Sequence, residues 1–234
     1  MCGGAGGIGA ACADWFGAHD ASVILIDRDE AALAEVAGRT GAAALAADLT
    51  DPAAVAAAFA SVGAEHGRVA VLVNAAGAAG HGAFGEVDVA QWREVLDLNL
   101  SSAFLAAQAA APALLAGGWG KIVNLSSVNA RTGGNDLSGV AYAVAKAGVE
   151  ALTRHLARAL APTVQVNAVA PGPVRTPMLA RLRSEQIDEL VRSIPAGRIA
   201  EPAEIAATIG FLASRDADYV TGVVVDQNGG GWIG

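Results

Sequence analysis

Residues 2–9 read Cys-Gly-Gly-Ala-Gly-Gly-Ile-Gly and lead directly into a helical pattern over Gly7–Gly17. Within this stretch Gly3, Gly7 and Gly9 have the spacing G-x-x-x-G-x-G. Glycine accepts a positive φ and allows close approach to the backbone, and the N-terminus of the following helix attracts an anion. The stretch therefore predicts a pyrophosphate-binding turn in an α/β fold. Taken alone it is also compatible with a flexible N-terminus, so the rest of the chain decides between the two.

Short β-branched runs alternate with longer helical stretches along the remainder of the chain. The predicted strands are Ser22–Ile26, Ala42–Leu45, Val69–Val73, Lys121–Leu125, Val164–Val169 and Gly222–Val225. The predicted helices are Gly7–Gly17, Glu30–Ala37, Pro52–His66, Val89–Leu115, Gly139–Leu160, Ser184–Ser193 and Glu201–Ala213, with Asp29 and Asp51 as N-caps. Continuous apolar strands suit a parallel sheet that is covered on both faces. The alternation predicts an α/β fold with a Rossmann-type, doubly wound parallel sheet in three layers, formed by one domain over residues 1–234.

The position of the glycine-rich turn is unusual for this architecture. A nucleotide-binding sheet needs a central strand before its first turn, yet only Met1 and Cys2 precede Gly3. Loss of that strand would expose two neighbouring strand edges and much apolar surface. We therefore expect the first strand to be truncated and the sequence to start inside the natural reading frame.

Composition excludes several classes of function. The formal net charge of −8 argues against a nucleic-acid partner, which would need a basic face. Two cysteines and four histidines show no disulfide framework and no metal-ligand spacing, so we expect no metal and a reducing cytoplasm. Polar residues or glycines interrupt every apolar run, and the N-terminus lacks a signal-peptide pattern, so we expect neither membrane insertion nor secretion.

A carboxylate at the end of the first complete strand indicates which dinucleotide binds. Asp27 stands eighteen residues beyond Gly9 and directly follows Ser22–Ile26. There it can accept hydrogen bonds from both adenosine ribose hydroxyls and repel a 2′-phosphate, which favours NAD over NADP. The neighbouring Arg28 could instead hold a 2′-phosphate, and Asp27 could simply cap the next helix.

Tyr142 and Lys146 provide the clearest chemical signal. They are four residues apart in one helical stretch and therefore share a helix face. A free phenol has a pKa of about 10, too high for a base at neutral pH, and a nearby ammonium lowers it. The chain has only two tyrosines and two lysines, so chance spacing is a poor explanation. The pair predicts proton transfer by Tyr142.

These motifs together resemble the short-chain dehydrogenase/reductase family, in its classical subtype, over essentially the whole chain. The motifs are Gly3-x-x-x-Gly7-x-Gly9, Asn74-Ala75-Ala76-Gly77, Asn99, Ser126-Ser127, Tyr142-x-x-x-Lys146 and Pro171-Gly172-x-x-x-Thr176. The resemblance implies an NAD(H)-dependent oxidoreductase that interconverts a secondary alcohol and a ketone. The hydride would pass between the substrate carbon and the nicotinamide.

The resemblance also implies a role for each catalytic residue. Tyr142 would exchange a proton with the substrate oxygen, while Lys146 would hold the nicotinamide ribose and depress the pKa of the tyrosine. Ser127 would polarise the substrate oxygen, although Ser126 is a rival and either serine could serve only the backbone. Asn99, inside the predicted helix Val89–Leu115, would position a water that relays protons from Lys146, unless it is an ordinary helix-interior amide.

The expected cofactor contacts extend along the whole chain. Asp48 and Leu49 would meet the adenine, Val174 and Thr176 would meet the nicotinamide carboxamide, and Asn74 would stabilise the strand end beneath the cofactor. The complete expected set is Gly3, Gly7, Ile8, Gly9, Asp27, Arg28, Asp48, Leu49, Asn74, Ala75, Gly77, Tyr142, Lys146, Pro171, Gly172, Val174 and Thr176.

Two departures from the family pattern bear on the site. Cys2 replaces the usual threonine, which puts part of the turn's hydrogen bonding in doubt. The segment from Ser127 to Tyr142 is two residues longer than usual, which predicts a polar loop over residues 129–136 beside the substrate. Such a loop would suit a polyol or another hydroxylated small molecule, although a solvated loop has the same composition. A mobile lid over Met178–Pro195 would face the substrate with Leu179, Leu182 and Ile187.

Two other functions remain open at this point. A 3-oxoacyl-carrier-protein reductase could use the same residues, but Asp27 argues against NADPH and the acidic chain offers no obvious docking face for an acidic carrier. An inactive nucleotide-binding relative is the second alternative, against which the intact Ser127, Tyr142 and Lys146 speak. The resemblance further implies a homo-oligomer, a tetramer or dimer, packed through the two long helices and the C-terminus.

Overall fold

The computed structural model describes residues 1–135 and 137–234, and within these residues six parallel strands form the centre of the protein. The strands are β1 Ile24–Asp27, β2 Ala43–Ala46, β3 Val71–Asn74, β4 Gly120–Leu125, β5 Val164–Pro171 and β6 Val224–Gln227. Each predicted strand is present, and most strand ends differ from the predicted ends by one or two residues. Strand β4 is fully buried because helices cover both of its faces. This burial is what a continuous apolar run predicts.

The strands run in the order β2-β1 and β3-β4-β5-β6, and all their pairings are parallel. Cys2 lies between the two groups and forms parallel bridges with Ile26 and Asn74. Its N–H donates to Val73 O at 3.0 Å and its carbonyl accepts from Ala75 N at 2.9 Å. The order reverses at this point, which places the glycine-rich turn at the topological switch of a doubly wound sheet.

The helices cover both faces of the sheet. They are α1 Gly7–Gly17, α2 Glu30–Thr40, α3 Pro52–His66, α4 Val89–Leu96, α5 Ser102–Ala116, α6 Asn129–Thr132, α7 Val140–Ala159, α8 Ser184–Ser193 and α9 Pro202–Ala213. The two predicted N-caps are confirmed, since Asp29 accepts from Ala32 N at 3.0 Å and Asp51 from Ala53 N at 2.9 Å. Helices α1 and α9 pack together on one face, while α3, α5 and α7 lie on the other. The predicted three-layer, doubly wound architecture is confirmed.

The predicted helix over Val89–Leu115 is present as a continuous helical segment, but it is not regular throughout. A π-helical turn over Asp97–Ser101 separates α4 from α5, and Asn99 lies in that turn. The α-helical period therefore did not reveal where Asn99 points, because a π turn inserts an extra residue and rotates the helix face. Within the described ranges, the continuous helical segment Val89–Ala116, with a mean hydropathy of 1.3, is long and apolar enough to cross a membrane. We did not expect this from the sequence, and a core helix of a soluble protein has the same properties.

The predicted loop over residues 129–136 was also partly wrong. Its first four residues form α6, which packs against α7. Helix α6 ends at Thr132, and the next residue, Gly133, has a φ of +82°, a left-handed conformation that terminates a helix without side-chain strain. Asp136, at the end of the predicted loop, lies outside the described residues.

Candidate active site at the carboxyl ends of the strands

The glycine-rich turn passes very close to the neighbouring backbone. Gly3 has a φ of +76°, and a Cβ there would lie 2.3 Å from Ala76 N. A Cβ on Gly9 would lie 2.0 Å from Gly3 O, so neither position accepts a side chain. Helix α1 begins after Gly6 with no side chain capping its first turn. The free N–H groups at this helix end fit the pyrophosphate of a dinucleotide.

The same turn packs against the loop that follows β5. A Cβ on Gly7 would lie 2.7 Å from Thr176 Cγ2. Ile8, Pro171, Gly172, Val174 and Thr176 all line one cleft with a volume of about 370 Å³. Ile8 of the glycine-rich turn and the residues expected at the nicotinamide therefore share one cavity, although they are up to about 170 positions apart in the chain.

Asp27 is fixed at the end of β1 by three backbone N–H groups. Its Oδ1 accepts from Arg28 N at 2.8 Å and from Asp29 N at 3.3 Å, and its Oδ2 accepts from Ala5 N at 3.2 Å. The carboxylate thus joins the strand end to the glycine-rich turn and retains lone pairs for a ligand. The cap of α2 is Asp29, so the alternative role of Asp27 as that cap was wrong.

Asp48 and Leu49 follow β2 and differ in environment. Leu49 is buried, whereas Asp48 is exposed and accepts from Thr50 N at 2.8 Å and Thr50 Oγ1 at 2.7 Å. These two hydrogen bonds hold the pKa of Asp48 below its usual value, and the charge of Arg28 lowers it further. The positive charge of Arg28 therefore acts on the Asp48 carboxylate, and a phosphate bound at Arg28 would compete with this carboxylate.

Tyr142 and Lys146 lie one turn apart on α7, and both are buried. Lys146 Nζ donates to Leu125 O at 2.8 Å and lies 5.6 Å from the centroid of the Tyr142 ring. Burial lowers the pKa of Lys146 to about 8. The Leu125 carbonyl, at the carboxyl end of β4, thus holds the ammonium at the floor of the cleft, where burial disfavours the charged form.

Burial is the main influence on the pKa of Tyr142 in the protein by itself. It raises that pKa above its usual value, and the influences that oppose it are a hydrogen bond with Ser127 and the charge of Arg181. Lys146 Nζ donates to the Leu125 carbonyl, and burial lowers its own pKa. That Lys146 depresses the pKa of Tyr142 stays a prediction.

The two serines after β4 have different hydrogen-bond partners. Ser126 Oγ lies 3.2 Å from Lys146 O and 3.1 Å from Glu150 Oε1, so it is engaged with α7. Ser127 Oγ accepts from Asn129 N at 3.2 Å, which orients its hydroxyl beside Tyr142 in the cleft. Of the two serines, Ser127 is the one with a hydroxyl proton available to a substrate oxygen.

Asn99 is buried and held by two carbonyls. Its Nδ2 donates to Ala78 O and to Val95 O, both at 2.9 Å, while no described residue donates to its Oδ1. A Cβ on Gly77 would lie 2.5 Å from Asn99 Oδ1 and 3.3 Å from Lys146 Nζ. Because Gly77 has no side chain, the amide and the ammonium both reach the same point, and the unpaired Oδ1 fits an ordered water there.

Asn74 and Ala75 lie at the end of β3. Asn74 is buried, and its Nδ2 donates to Asn124 Oδ1 at 2.9 Å. That contact joins the ends of β3 and β4, while Ala75 lines the cleft beside Gly77. This arrangement supports a structural function for Asn74.

Sequence reasoning missed an ion network behind the serines. Arg131 on α6 donates to Glu150 Oε2 at 2.6 Å and to Asp226 Oδ1 at 3.3 Å, and its guanidinium lies 5.1 Å from the Trp232 ring. Glu150 is one turn beyond Lys146 on α7, and this helical spacing was the available signal. The network joins α6, α7, β6 and the C-terminal segment.

The lid prediction was correct in part. Leu179 and Leu182 line the cleft, but Ile187 does not, and Leu190 and Ile194 take its place. Ile187 lies in the first half of α8, whereas Leu190 lies near the end of that helix and Ile194 directly follows it. Arg181, which the sequence did not single out, also lines the cleft.

Comparison with known proteins relates this site to characterised relatives. Residues 3–231 match the family described as enoyl-(acyl carrier protein) reductase. The chain is 42% identical to galactitol 2-dehydrogenase (L-tagatose-forming) from Cereibacter sphaeroides, over 96% of this chain and 90% of that protein. It is 39% identical to cis-4-hydroxycyclohexanecarboxylate dehydrogenase from Sinomonas cyclohexanicum, over 97% and 93% of the two chains.

A solved structure has the same fold over the full chain. The short-chain dehydrogenase/reductase from Brucella melitensis, described as a glucose/ribitol dehydrogenase, superposes with a TM-score of 0.93 at 33% identity. The match covers 100% of this chain and 95% of that one.

Proposed function

The chain belongs to the classical short-chain dehydrogenase/reductase family and is an oxidoreductase of alcohols and ketones, and from this premise we propose that it oxidises a secondary alcohol with NAD⁺. The observation that carries the proposal is the convergence of Tyr142, Lys146 and Ser127 in one cleft beside the glycine-rich turn. The reverse reaction, ketone reduction, uses the same groups.

Each residue then has a defined task. Ser127 donates a hydrogen bond to the substrate oxygen, and the Tyr142 phenolate accepts the hydroxyl proton. Bound NAD⁺ supplies a hydride acceptor for the carbinol carbon. Lys146 holds the nicotinamide ribose hydroxyls, and Asn99 positions a water that passes the proton from Lys146 toward solvent.

NAD rather than NADP is favoured by Asp27. The carboxylate is fixed by backbone N–H groups, so it cannot swing away from a 2′-phosphate without losing them. The charge of Arg28 also acts on the Asp48 carboxylate, whose pKa it lowers.

The polar side of the cleft favours a hydroxylated substrate. Asn129 and Thr132 of α6, together with Asn135 and Ser138, line the wall that faces the apolar lid. Hydroxyl and amide side chains can exchange hydrogen bonds with several substrate hydroxyls. We also propose that residues 1–234 act as one domain, in the cytoplasm, and as a homo-oligomer.

Initial rates of NAD⁺ and NADP⁺ reduction, measured with a panel of secondary alcohols and polyols, test the proposal. We expect absorbance from NADH with at least one alcohol and a kcat/KM for NAD⁺ well above that for NADP⁺. A preference for NADPH with 3-oxoacyl thioesters would replace this proposal by a carrier-protein reductase. Binding of NADH without turnover of any substrate would indicate an inactive relative.

A further inference from the structure

One arginine bridges the lid and the two loops that face it. Arg181 ends the 3₁₀ turn Leu179–Arg181 inside the lid segment. Its guanidinium donates to Gly80 O at 3.2 Å and to Leu137 O. Gly80 follows β3 and Leu137 precedes α7, so the cation lies where three separate segments meet at the cleft.

The charge that faces the cleft is opposite in sign to that of the whole chain. Among the described residues lining the cavity, the charged side chains are Lys146 and Arg181, and none is acidic. The formal net charge of the chain is nevertheless −8. Lys146 lies at the floor and is committed to the Leu125 carbonyl and the cofactor ribose, which leaves Arg181 as the cation that faces substrate.

Arg181 lines the same cavity as the reacting group. Tyr142 and Ser127 also line this cavity, and the charge of Arg181 is among the influences that lower the pKa of Tyr142. A guanidinium has five N–H donors, of which the two backbone carbonyls occupy two. The remaining donors form a planar fork that matches a carboxylate.

The surface near this cation is apolar rather than anionic. Met178, Leu179 and Leu182 come from the same lid segment and line the cavity. A hydrocarbon spacer would pack on them, with its charged end at Arg181 and its hydroxyl-bearing carbon at Tyr142 and Ser127.

We infer that the substrate is a hydroxy acid, whose carboxylate binds Arg181 while its secondary alcohol faces Tyr142 and Ser127. This inference rests on the proposed alcohol oxidation and specifies its substrate class. A neutral polyol would satisfy the polar wall but would leave the guanidinium without an anion.

The experiment compares hydroxy acids with their primary carboxamides, which have nearly the same shape but no charge. Suitable probes are 3-hydroxybutyrate, 4-hydroxypentanoate and 5-hydroxyhexanoate, each paired with its amide, with NAD⁺ and the full chain. We expect kcat/KM for at least one acid to exceed that of its amide by about tenfold or more, as for a charge-assisted hydrogen bond. Added NaCl should reduce this ratio.

Arg181→Met should bring the acid-to-amide ratio to about 1, and Arg181→Lys should retain part of it. Arg183→Met is the matched control, because Arg183 is an exposed arginine two residues away that does not line the cleft. If Arg181 only braced the lid, its removal would lower the rates for acid and amide equally, and the ratio would not change.

The outcomes separate this inference from the proposed function. Oxidation of neutral 2-alkanols with an acid-to-amide ratio near 1 for every pair overturns the hydroxy-acid assignment and leaves alcohol oxidation intact. A high ratio that persists in Arg181→Met, or that is lost equally in Arg183→Met, also overturns it. Absence of turnover with every alcohol, charged or neutral, overturns both.

Discussion

Asp27 shows how one side chain can determine which cofactor binds. Three backbone N–H groups fix its carboxylate between the end of β1 and the glycine-rich turn, and two of these come from Arg28 and Asp29, the residues that follow it. The neighbouring positive charge of Arg28 lowers the pKa of Asp48. The proposed selection of NAD therefore depends on repulsion of a 2′-phosphate by a carboxylate that cannot move away.

Asp27→Ala should relax the discrimination against NADP⁺, raising the ratio of kcat/KM for NADP⁺ to that for NAD⁺ by about tenfold or more. Initial rates with both cofactors at a saturating alcohol concentration measure this ratio. Asp29→Ala is the matched control, because Asp29 caps α2: it should lower the melting temperature without altering the ratio. An unchanged ratio in Asp27→Ala would remove Asp27 from cofactor selection.

The pH dependence follows from the burial of Tyr142 and Lys146. Burial raises the pKa of Tyr142, so near neutral pH the phenol is protonated, which is the form that ketone reduction uses. Alcohol oxidation needs the phenolate, so its kcat/KM should rise as pH increases from about 6 to about 10. Reduction should weaken above pH 8, because Lys146, with a pKa of about 8, loses its charge there.

Rates in both directions across this range measure the effect, with enzyme returned to pH 7 after each incubation as the stability control. A kcat/KM for oxidation that stays constant with pH would argue against proton transfer to a buried phenol.

At the scale of elements, sequence periodicity predicted the features that depend on local sequence. The strand order along the chain, the two aspartate caps and the shared face of Tyr142 and Lys146 followed from spacing. The π turn that contains Asn99 did not, because it is fixed by packing against α7 and leaves no sequence period. Arg181 was missed for a related reason: its partners Gly80 and Leu137 are distant in sequence, and only the tertiary fold brings their carbonyls together.

Helix α6 is positioned by the Arg131–Glu150 ion pair. Glu150 is buried and accepts from Arg131 at 2.6 Å, from Ser126 at 3.1 Å and from Arg154 at 3.3 Å. Since Ser127 lies between β4 and α6, this network anchors the segment that carries the substrate-facing serine. Removal of one charge leaves the other partly buried without its partner.

Glu150→Gln should therefore lower the free energy of unfolding by about 2 kcal/mol, a decrease in melting temperature of roughly 4–8 °C for a chain of this size. Thermal unfolding followed by circular dichroism measures the change. Glu94→Gln, at an exposed position on α4, is the control and should change stability by less than about 0.5 kcal/mol. Equal melting temperatures for the two variants would show that the ion pair contributes nothing to the fold.

At the scale of the whole molecule, the sheet brings distant residues together because all its strands run in parallel. Their carboxyl ends meet at one edge, where the turn after Cys2, the serines after β4 and the loop after β5 surround the cleft. The helices on one side of this sheet retain exposed apolar residues, namely Phe104 and Leu115 on α5 and Val144 on α7. These residues support the proposed homo-oligomer.

Replacement of both Phe104 and Val144 by glutamate should reduce the native mass, because two charges would have to be buried in the contact between subunits. Light scattering after size exclusion measures that mass. Tyr219→Glu is the control, since Tyr219 is a fully exposed aromatic outside these helices, and it should leave the mass unchanged. A wild-type chain that is monomeric at micromolar concentration would contradict the proposed assembly.

The most direct test of the account is turnover and cofactor binding by Tyr142→Phe. Phenylalanine retains the ring between Lys146 and the cleft but removes the group that exchanges a proton. We predict that kcat for NAD⁺-dependent alcohol oxidation falls by about 10²–10⁴-fold, while the Kd for NADH, from fluorescence titration, stays within about threefold of wild type. Turnover at the wild-type rate would contradict the assignment of Tyr142 as the catalytic acid/base.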